Sequence, residues 1–228
     1  MNPAFTFARP ALPGAGIPGY PRSRAPSSPA AQENDMPQIS SVAVFCGASL
    51  GHSPAFRAAA EALGRGIARA GWRLVYGGGQ LGLMGVVADG ALEAGGEVVG
   101  VIPEFLRRRE VAHAGVKHMV VTDSMHARKT EMFELADAFV TLPGGLGTLD
   151  ETVEIITWRQ LGLHAKPILL CDVMGSSAPL VAAIESAIAL GFARAEVRQL
   201  FEVHEGVAAV LARLATLPAP PAAHADRL

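Results

Sequence analysis

From residue 39 onward, short apolar runs alternate along the chain with longer stretches in which apolar residues recur every three or four positions. The short runs are rich in β-branched residues and predict strands, whereas the longer stretches predict helices. Strands alternating with helices are typical of a parallel sheet that helices cover. The predicted strands are residues 42–46, 73–76, 97–102, 118–121, 138–142 and 167–171.

The predicted helices fill the intervals between these strands and follow the last of them. Several begin with a capping signal, such as Ser53 followed by Pro54. They are residues 54–69, 83–93, 124–135, 148–161, 179–190 and 206–215. We therefore expect an α/β fold, a Rossmann-like doubly wound parallel sheet with helices on both faces, in a single domain.

The two ends of the chain differ in composition from this region. Residues 1–38 are dominated by Pro, Ala, Gly and Ser, a mixture that cannot bury a core, and we expect a disordered extension there. Two origins fit it: a transit-peptide-like segment, or translation from upstream of Met36 as the working start. The folded domain should span residues 39–216, and residues 217–228 should form a flexible tail.

Composition and charge limit the classes of function. The chain has 228 residues, of which 50% are hydrophobic, so one well-buried core is expected. The formal net charge of −2 provides no basic field for nucleic acid, which favours a small-molecule ligand. We also expect no membrane partner, because no apolar stretch reaches the roughly 20 residues that a span requires.

The cysteines and histidines predict neither a disulfide nor a metal site. Cys46 and Cys171 lie in predicted strands without a C-x-x-C motif, so we expect buried free thiols and a cytoplasmic location. The seven histidines are scattered, and none pairs with another at metal-ligand spacing.

Candidate chemistry lies in the loops that follow strands, because ligands of such sheets bind beyond the carboxyl ends of the strands. Three of these loops are rich in glycine, and a fourth segment carries two cations at the start of a helix. They are CGASLG at 46–51, GGGQLGLMG at 77–85, PGGLGT at 143–148 and SMHARK at 124–129.

The PGGLGT loop resembles a phosphate cradle, yet Asp150 and Glu151 follow it at once. Glycine N–H groups and a helix predicted to begin near Thr148 would both attract an anion. One explanation of the carboxylates is structural, since acidic residues in a first helical turn are stabilised by about 0.3 to 1 kcal/mol. The other is catalytic: a carboxylate stabilises the oxocarbenium-like ribose formed when a glycosidic bond breaks.

The catalytic explanation also needs cations, because a phosphate and a carboxylate repel each other. Arg128 and Lys129 follow a strand at the same edge of the sheet and could offset this repulsion. A solvated basic helix face is the alternative for this pair. Successive helical residues point about 100° apart, so only one of the two carboxylates can face the ribose, and we expect it to be Glu151.

The GGGQLGLMG loop allows a competing interpretation. Residues 77–82 match G-x-G-x-x-G after a strand, and Glu104 is placed to contact a ribose, as in NAD-dependent oxidoreductases. Against this, the motif does not follow the first strand, and Pro103 interrupts the approach to Glu104. A second glycine-rich cradle also occupies the place of a hydride acceptor.

Taken together, the motifs resemble those of a known family. PGGLGTLDE at 143–151 and MHARK at 125–129 are similar to PGGxGTxxE and MHxRK of the Lonely Guy (LOG) family, the cytokinin riboside 5′-monophosphate phosphoribohydrolases. The likeness extends through GGGQLGLMG, RRE at 108–110 and TWRQLGLHAKPI at 157–168. It implies hydrolysis of the N-glycosidic bond of cytokinin riboside 5′-monophosphates or AMP to free base and ribose 5-phosphate. It also implies a homodimer and no organic cofactor or metal.

The resemblance also implies a role for particular residues. Arg128 and Glu151 correspond to the catalytic pair. The phosphate would be held by Gly144, Gly145, Gly147 and Thr148. The rest of the substrate-binding set is Glu110, Lys129, Asp150, Thr157, Met125, Gly78 and Gly79. The chain departs from the family at Ala48, where CGAS replaces the usual CGSS. The missing hydroxyl should affect the affinity for the ligand more than the type of reaction.

Two other functions remain to be weighed. Similar proteins are often labelled lysine decarboxylases, whose pyridoxal phosphate needs a Schiff-base lysine. Here Lys117 and Lys166 precede strands, at the wrong edge of the sheet, and Lys129 is better placed beside phosphate. A non-catalytic carrier of a nucleotide or molybdopterin-type cofactor would need the cradle but not both Arg128 and Glu151.

Overall fold

The computed structural model describes residues 38–107 and 112–218. Its strands form one seven-stranded parallel sheet in the order β4-β3-β2-β1-β5-β6-β7. They are β1 (Ser41–Phe45), β2 (Arg73–Tyr76), β3 (Val98–Pro103), β4 (His118–Thr122), β5 (Ala138–Thr141), β6 (Ile168–Asp172) and β7 (Glu202–Glu205). Every residue of β1 is buried, as expected for a central strand that is covered on both faces.

The helices cover the two faces of the sheet. They are α1 (Pro54–Arg69), α2 (Gly82–Glu93), α3 (Glu104–Arg107), α4 (Met125–Glu134), α5 (Leu146–Gln160), α6 (Ala178–Ala189) and α7 (Gly206–Leu214), with a 3₁₀ turn at Ala195–Gln199. Residues of α1, α2 and α7 pack in one apolar cluster, represented by Leu63, Val87 and Val210. Phe133 of α4 and Ile155 of α5 lie in a second cluster, against which Ile184 of α6 packs.

The structure confirms the predicted fold class and every predicted strand and helix. The boundaries of the strands agree to within one residue. The edge strand β7 and the short helix α3 were not predicted. One boundary matters for function: the helix expected to begin near Thr148 begins at Leu146, with Gly145 as its N-cap. Among the described residues, no helix is long and apolar enough to cross a bilayer.

Buried polar groups cluster at the edge of the sheet where the strands begin. His164 Nε2 lies 2.9 Å from the carbonyl oxygen of Ile155, and His164 Nδ1 accepts from the backbone N–H of Lys166 at 3.1 Å. Burial lowers the pKa of His164 to about 4, which keeps this imidazole neutral. Lys166 Nζ donates to the carbonyl oxygen of Phe133 at 2.6 Å, and burial lowers its pKa to about 8.

Candidate active site

A cleft of about 650 Å³ lies at the carboxyl ends of the strands. Its walls include the loop after β1 (residues 46–51), residues 143–148, which span the loop after β5 and the first residues of α5, and the start of α4. The chain leaves β1 and β5 toward opposite faces of the sheet, so the cleft opens where the winding reverses. This is where open α/β sheets bind their ligands.

The start of α5 lies in this cleft and is suited to bind an anion. Its N-cap is Gly145, which has no side chain to accept from the first turn, and the first helical bond runs from Leu149 N–H to Gly145 O at 3.1 Å. The N–H groups of residues 146–148 precede that bond, and the positive end of the helix dipole lies with them. A Cβ on Gly145 or on Gly147 would meet nothing within 4 Å, so both glycines leave open space.

Gly144 and Thr148 complete this turn by packing closely. A Cβ on Gly144 would lie 2.1 Å from Thr148 Oγ1 and 2.9 Å from the backbone nitrogen of Gly47. Gly47 N–H in turn donates to Pro143 O at 3.1 Å, which joins the loops that follow β1 and β5. All four residues predicted to hold phosphate therefore lie together on one wall of the cleft.

The observed start of α5 removes the structural explanation of the two carboxylates. The first turn contains no acidic residue, because Asp150 and Glu151 come after it. The favourable effect of the helix dipole on a carboxylate falls off beyond the first turn. The two side chains also differ in environment: Glu151 is buried, whereas the side chain of Asp150 is 63% exposed.

Glu151 pairs with Arg128 in the cleft. The distance from Arg128 Nη1 to Glu151 Oε1 is 3.5 Å, and the side chains are 7% and 9% exposed. Arg128 Nε donates to Val101 O at 3.1 Å and Nη2 to Gly77 O at 3.3 Å. Because the carbonyl oxygens of Val101, in β3, and of Gly77, just after β2, hold the guanidinium, Arg128 is fixed in place and presents Nη1 to the carboxylate. Two oppositely charged groups are thus buried side by side within ligand reach.

Gly77 has a role that sequence analysis missed. A Cβ at this position would lie 2.1 Å from Arg128 Nη2 and 3.0 Å from Met84 Sδ, so only glycine leaves room for the guanidinium. The sequence suggested only a competing dinucleotide fingerprint for this motif, or a part of the family resemblance, and neither indicates a contact with Arg128. The predicted residues Gly78 and Gly79 do not line the cleft: Gly78 packs against Ile102 at φ +75°, and Gly79 pairs with Ala112 in an isolated bridge.

The structure places two other predicted residues away from the cleft wall. Lys129 lies outside it, with Nζ 2.6 Å from Asp150 Oδ2 and 3.0 Å from Glu154 Oε2. Thr157 lies on the exposed face of α5, where its hydroxyl donates to Val153 O at 2.8 Å. Glu110 is outside the described residues.

Apolar side chains form the remaining wall. Met125 was among the predicted residues, and its sulfur lies 3.9 Å from Arg128 Nη1. Phe56, Met84 and Leu106 were not predicted, although each lies on a helix that follows one of the first three strands. Cys46 also lines the cleft, and burial, reinforced by Glu151, raises the pKa of its thiol well above the ordinary value. The cysteine therefore remains a protonated, unreactive thiol.

The lysines do not form a Schiff-base site. Lys166 precedes β6 and Lys117 precedes β4, both at the edge of the sheet opposite the cleft. Lys129 is engaged by two carboxylates. Glu104, the ribose partner in the oxidoreductase interpretation, pairs instead with Arg107 at 2.9 Å and does not line the cleft.

The chain is similar to a family of known proteins. Residues 84–214 match a family model described as "Possible lysine decarboxylase". The chain is 50% identical over 157 residues to a cytokinin riboside 5′-monophosphate phosphoribohydrolase of Rhodococcoides fascians, covering 68% of this chain and 79% of that protein. It is 44% identical to the corresponding enzyme LOG7 of Arabidopsis thaliana, covering 66% of this chain and 70% of that protein.

A solved structure is similar in fold. The molybdenum cofactor carrier protein of Chlamydomonas reinhardtii superposes with a TM-score of 0.59 at 24% identity, over 79% of this chain and 98% of that one. At this identity the likeness shows the Rossmann-like architecture alone. The identity to the phosphoribohydrolases is much higher, and the residues that the family model matches, 84–214, include the cradle, Arg128 and Glu151. The chain therefore belongs to the Lonely Guy (LOG) family.

Proposed function

We propose that the protein hydrolyses the N-glycosidic bond of nucleoside 5′-monophosphates, namely cytokinin riboside 5′-monophosphates or AMP, to free base and ribose 5-phosphate. The observation that carries this proposal is the buried Arg128–Glu151 pair beside the start of α5, a helix without a side-chain cap. The names of the relatives in Rhodococcoides fascians and Arabidopsis thaliana support it. A carrier would need the anion site but has no use for the buried charge pair.

The geometry suggests how the reaction proceeds. The phosphate binds the N–H groups at the start of α5, which brings the ribose next to Glu151. As the bond from C1′ to the base nitrogen breaks, its electron pair leaves with the base and positive charge develops on the ribose. The Glu151 carboxylate stabilises this charge and accepts a proton from the attacking water, whose oxygen bonds to C1′. The base gains a proton, so the sum of the reaction is the addition of one water.

Substrates that lack the phosphate are expected to be inactive. Base should be released from AMP and from isopentenyl-AMP, whereas adenosine should react at least about 100-fold more slowly in kcat/KM. The reason is that charge-assisted hydrogen bonds at the helix start position the reacting ribose. Chromatography of the released base measures all three rates, and comparing the two nucleotides reveals which base is preferred. Equal rates on adenosine and AMP would refute the assignment of the cradle.

We also infer that the protein is a symmetric homodimer. The outward face of α5 and its C-cap carry an exposed stripe at intervals of four residues: Leu149, Val153 and Thr157 of the helix and Leu161 at the C-cap. Residues at this spacing lie on one side of a helix, and exposed apolar surface of this kind marks contact sites. Thr157 belongs to this stripe, so it would lie at the contact between subunits and not in the cleft of its own subunit.

Sedimentation velocity should therefore show a dimer at micromolar concentration. Val153→Glu should dissociate it, because a charge in the middle of an apolar contact loses its hydration without gaining a partner. Phe192→Glu is the matched control: Phe192 is 87% exposed but lies outside the stripe, and this variant should stay dimeric. A monomeric wild-type protein, or a dimer that tolerates Val153→Glu, would contradict the inference.

A further inference from the structure

A carboxylate stands at the entrance of an anion site. Asp150 lines the cleft three residues after Gly147 and is 63% exposed. A nucleotide phosphate carries a charge of about −1.5 to −2 at pH 7. Two like charges close together in a partly enclosed cleft disfavour binding. An uncompensated Asp150 would therefore weaken the binding of the very ligand that the cradle suits.

The compensating charge comes from the neighbouring helix. Lys129 of α4 places Nζ 2.6 Å from Asp150 Oδ2 and 3.0 Å from Glu154 Oε2, and its side chain is only 14% exposed. Burial disfavours the ammonium ion, but the hydrogen bonds to Asp150 and Glu154 outweigh this and raise the pKa of Lys129. The lysine is thus charged throughout the neutral range and held in one place.

The charges at the cleft form two separate pairs. Arg128 faces Glu151 inside the cleft, and Lys129 faces Asp150 at its rim. Glu154 shares the lysine but does not line the cleft. Lys129 Nζ has carboxylate partners on α5, one turn apart, so its three donors are directed along that helix.

We propose that Lys129 is a positioning residue that neutralises Asp150, so that a substrate phosphate can bind beside a carboxylate. The inference rests on the proposed function and differs from direct contact between Lys129 and the substrate. In this proposal, Lys129 affects substrate binding only by neutralising the charge of Asp150.

The test is a charge-rescue series with a matched control. Lys129→Met should raise KM for AMP, and the Kd of AMP measured by calorimetry, about tenfold with a smaller change in kcat. Adding Asp150→Asn should recover most of this loss, because the repelling charge is gone. Adding Glu154→Gln removes one charge from the other partner of the lysine and should recover little. Lys129→Arg keeps the charge and should stay within about threefold of the wild type.

The dependence of KM on ionic strength is a second measurement, and a packing defect would not produce it. Salt screens repulsion, so the KM of Lys129→Met should approach the wild-type value as salt rises. The proposal is overturned if Lys129→Met leaves KM unchanged, or if the two double variants recover equally. It is also overturned if neither recovers, a result that would assign Nζ to the phosphate itself. If the wild-type protein binds AMP without releasing base, the proposed function fails, while the Kd series still decides the role of Lys129.

Discussion

Glu151→Gln is expected to lower kcat by at least about 100-fold while AMP still binds. Glutamine keeps the length of the side chain and a carbonyl oxygen toward Arg128, but it removes the charge that stabilises the developing cation on the ribose. It also removes the proton acceptor for the attacking water. Single-turnover assays of base release measure the loss, and calorimetry with AMP measures binding separately.

Asp150→Asn is the control for this result. The two carboxylates are adjacent in sequence, yet Asp150 is largely exposed and Glu151 is buried beside Arg128. The asparagine variant should therefore change KM more than kcat, through charge at the rim of the cleft. If a correctly folded Glu151→Gln protein turned over at a near-normal rate, Glu151 would lose its catalytic assignment.

Arg128→Ala is expected to abolish measurable turnover, and Gly77→Ala to lower kcat by at least about 100-fold. The alanine methyl would lie 2.1 Å from Arg128 Nη2, so the guanidinium must leave the carbonyl oxygens of Val101 and Gly77. Small displacements of catalytic groups have large effects on rate. The loss should appear in base release by the folded enzyme, measured below the thermal midpoint of Gly77→Ala.

The neighbouring glycine separates this effect from general destabilisation. Gly77 does not have a positive φ, so its backbone accepts alanine, and the atom met first is the end of a flexible side chain. Gly78 has φ +75° and faces Ile102, so Gly78→Ala should lower the thermal midpoint. A Gly77→Ala enzyme with wild-type kcat would show that the position of Arg128 does not limit the reaction.

Most of the fold was predictable because the inner strands are buried on both faces and appear as continuous apolar runs. Edge strand β7 escaped prediction because its residues, Glu202 to Glu205, alternate between half-buried and exposed and are mostly polar. Helix α3 has four residues, too few to show a helical period. The start of α5 was misplaced by two residues, since a glycine N-cap lacks the side-chain signal that marks helix starts.

The composition of the site was predictable from loops that follow strands, but the direction of individual side chains was not. Arg128 and Lys129 are adjacent in one motif, and only the packing of α4 on α5 turns the first into the cleft and the second toward Asp150 and Glu154. The contact between Gly77 and Arg128 joins residues far apart in sequence. Spacing along a chain gives no information about such contacts.

The glycine N-cap of α5 links the stability of the protein to its ligand. A side-chain cap is worth only a few tenths of a kcal/mol more than glycine at this position, and Gly145 omits one. In the proposed function, a bound phosphate would supply the missing acceptor, and the substrate would then complete the start of the helix. At a ligand concentration of about 100 times Kd, this linkage stabilises the folded state by about 2.7 kcal/mol. Cellular nucleotide levels would then set how long the enzyme persists as well as how fast it works.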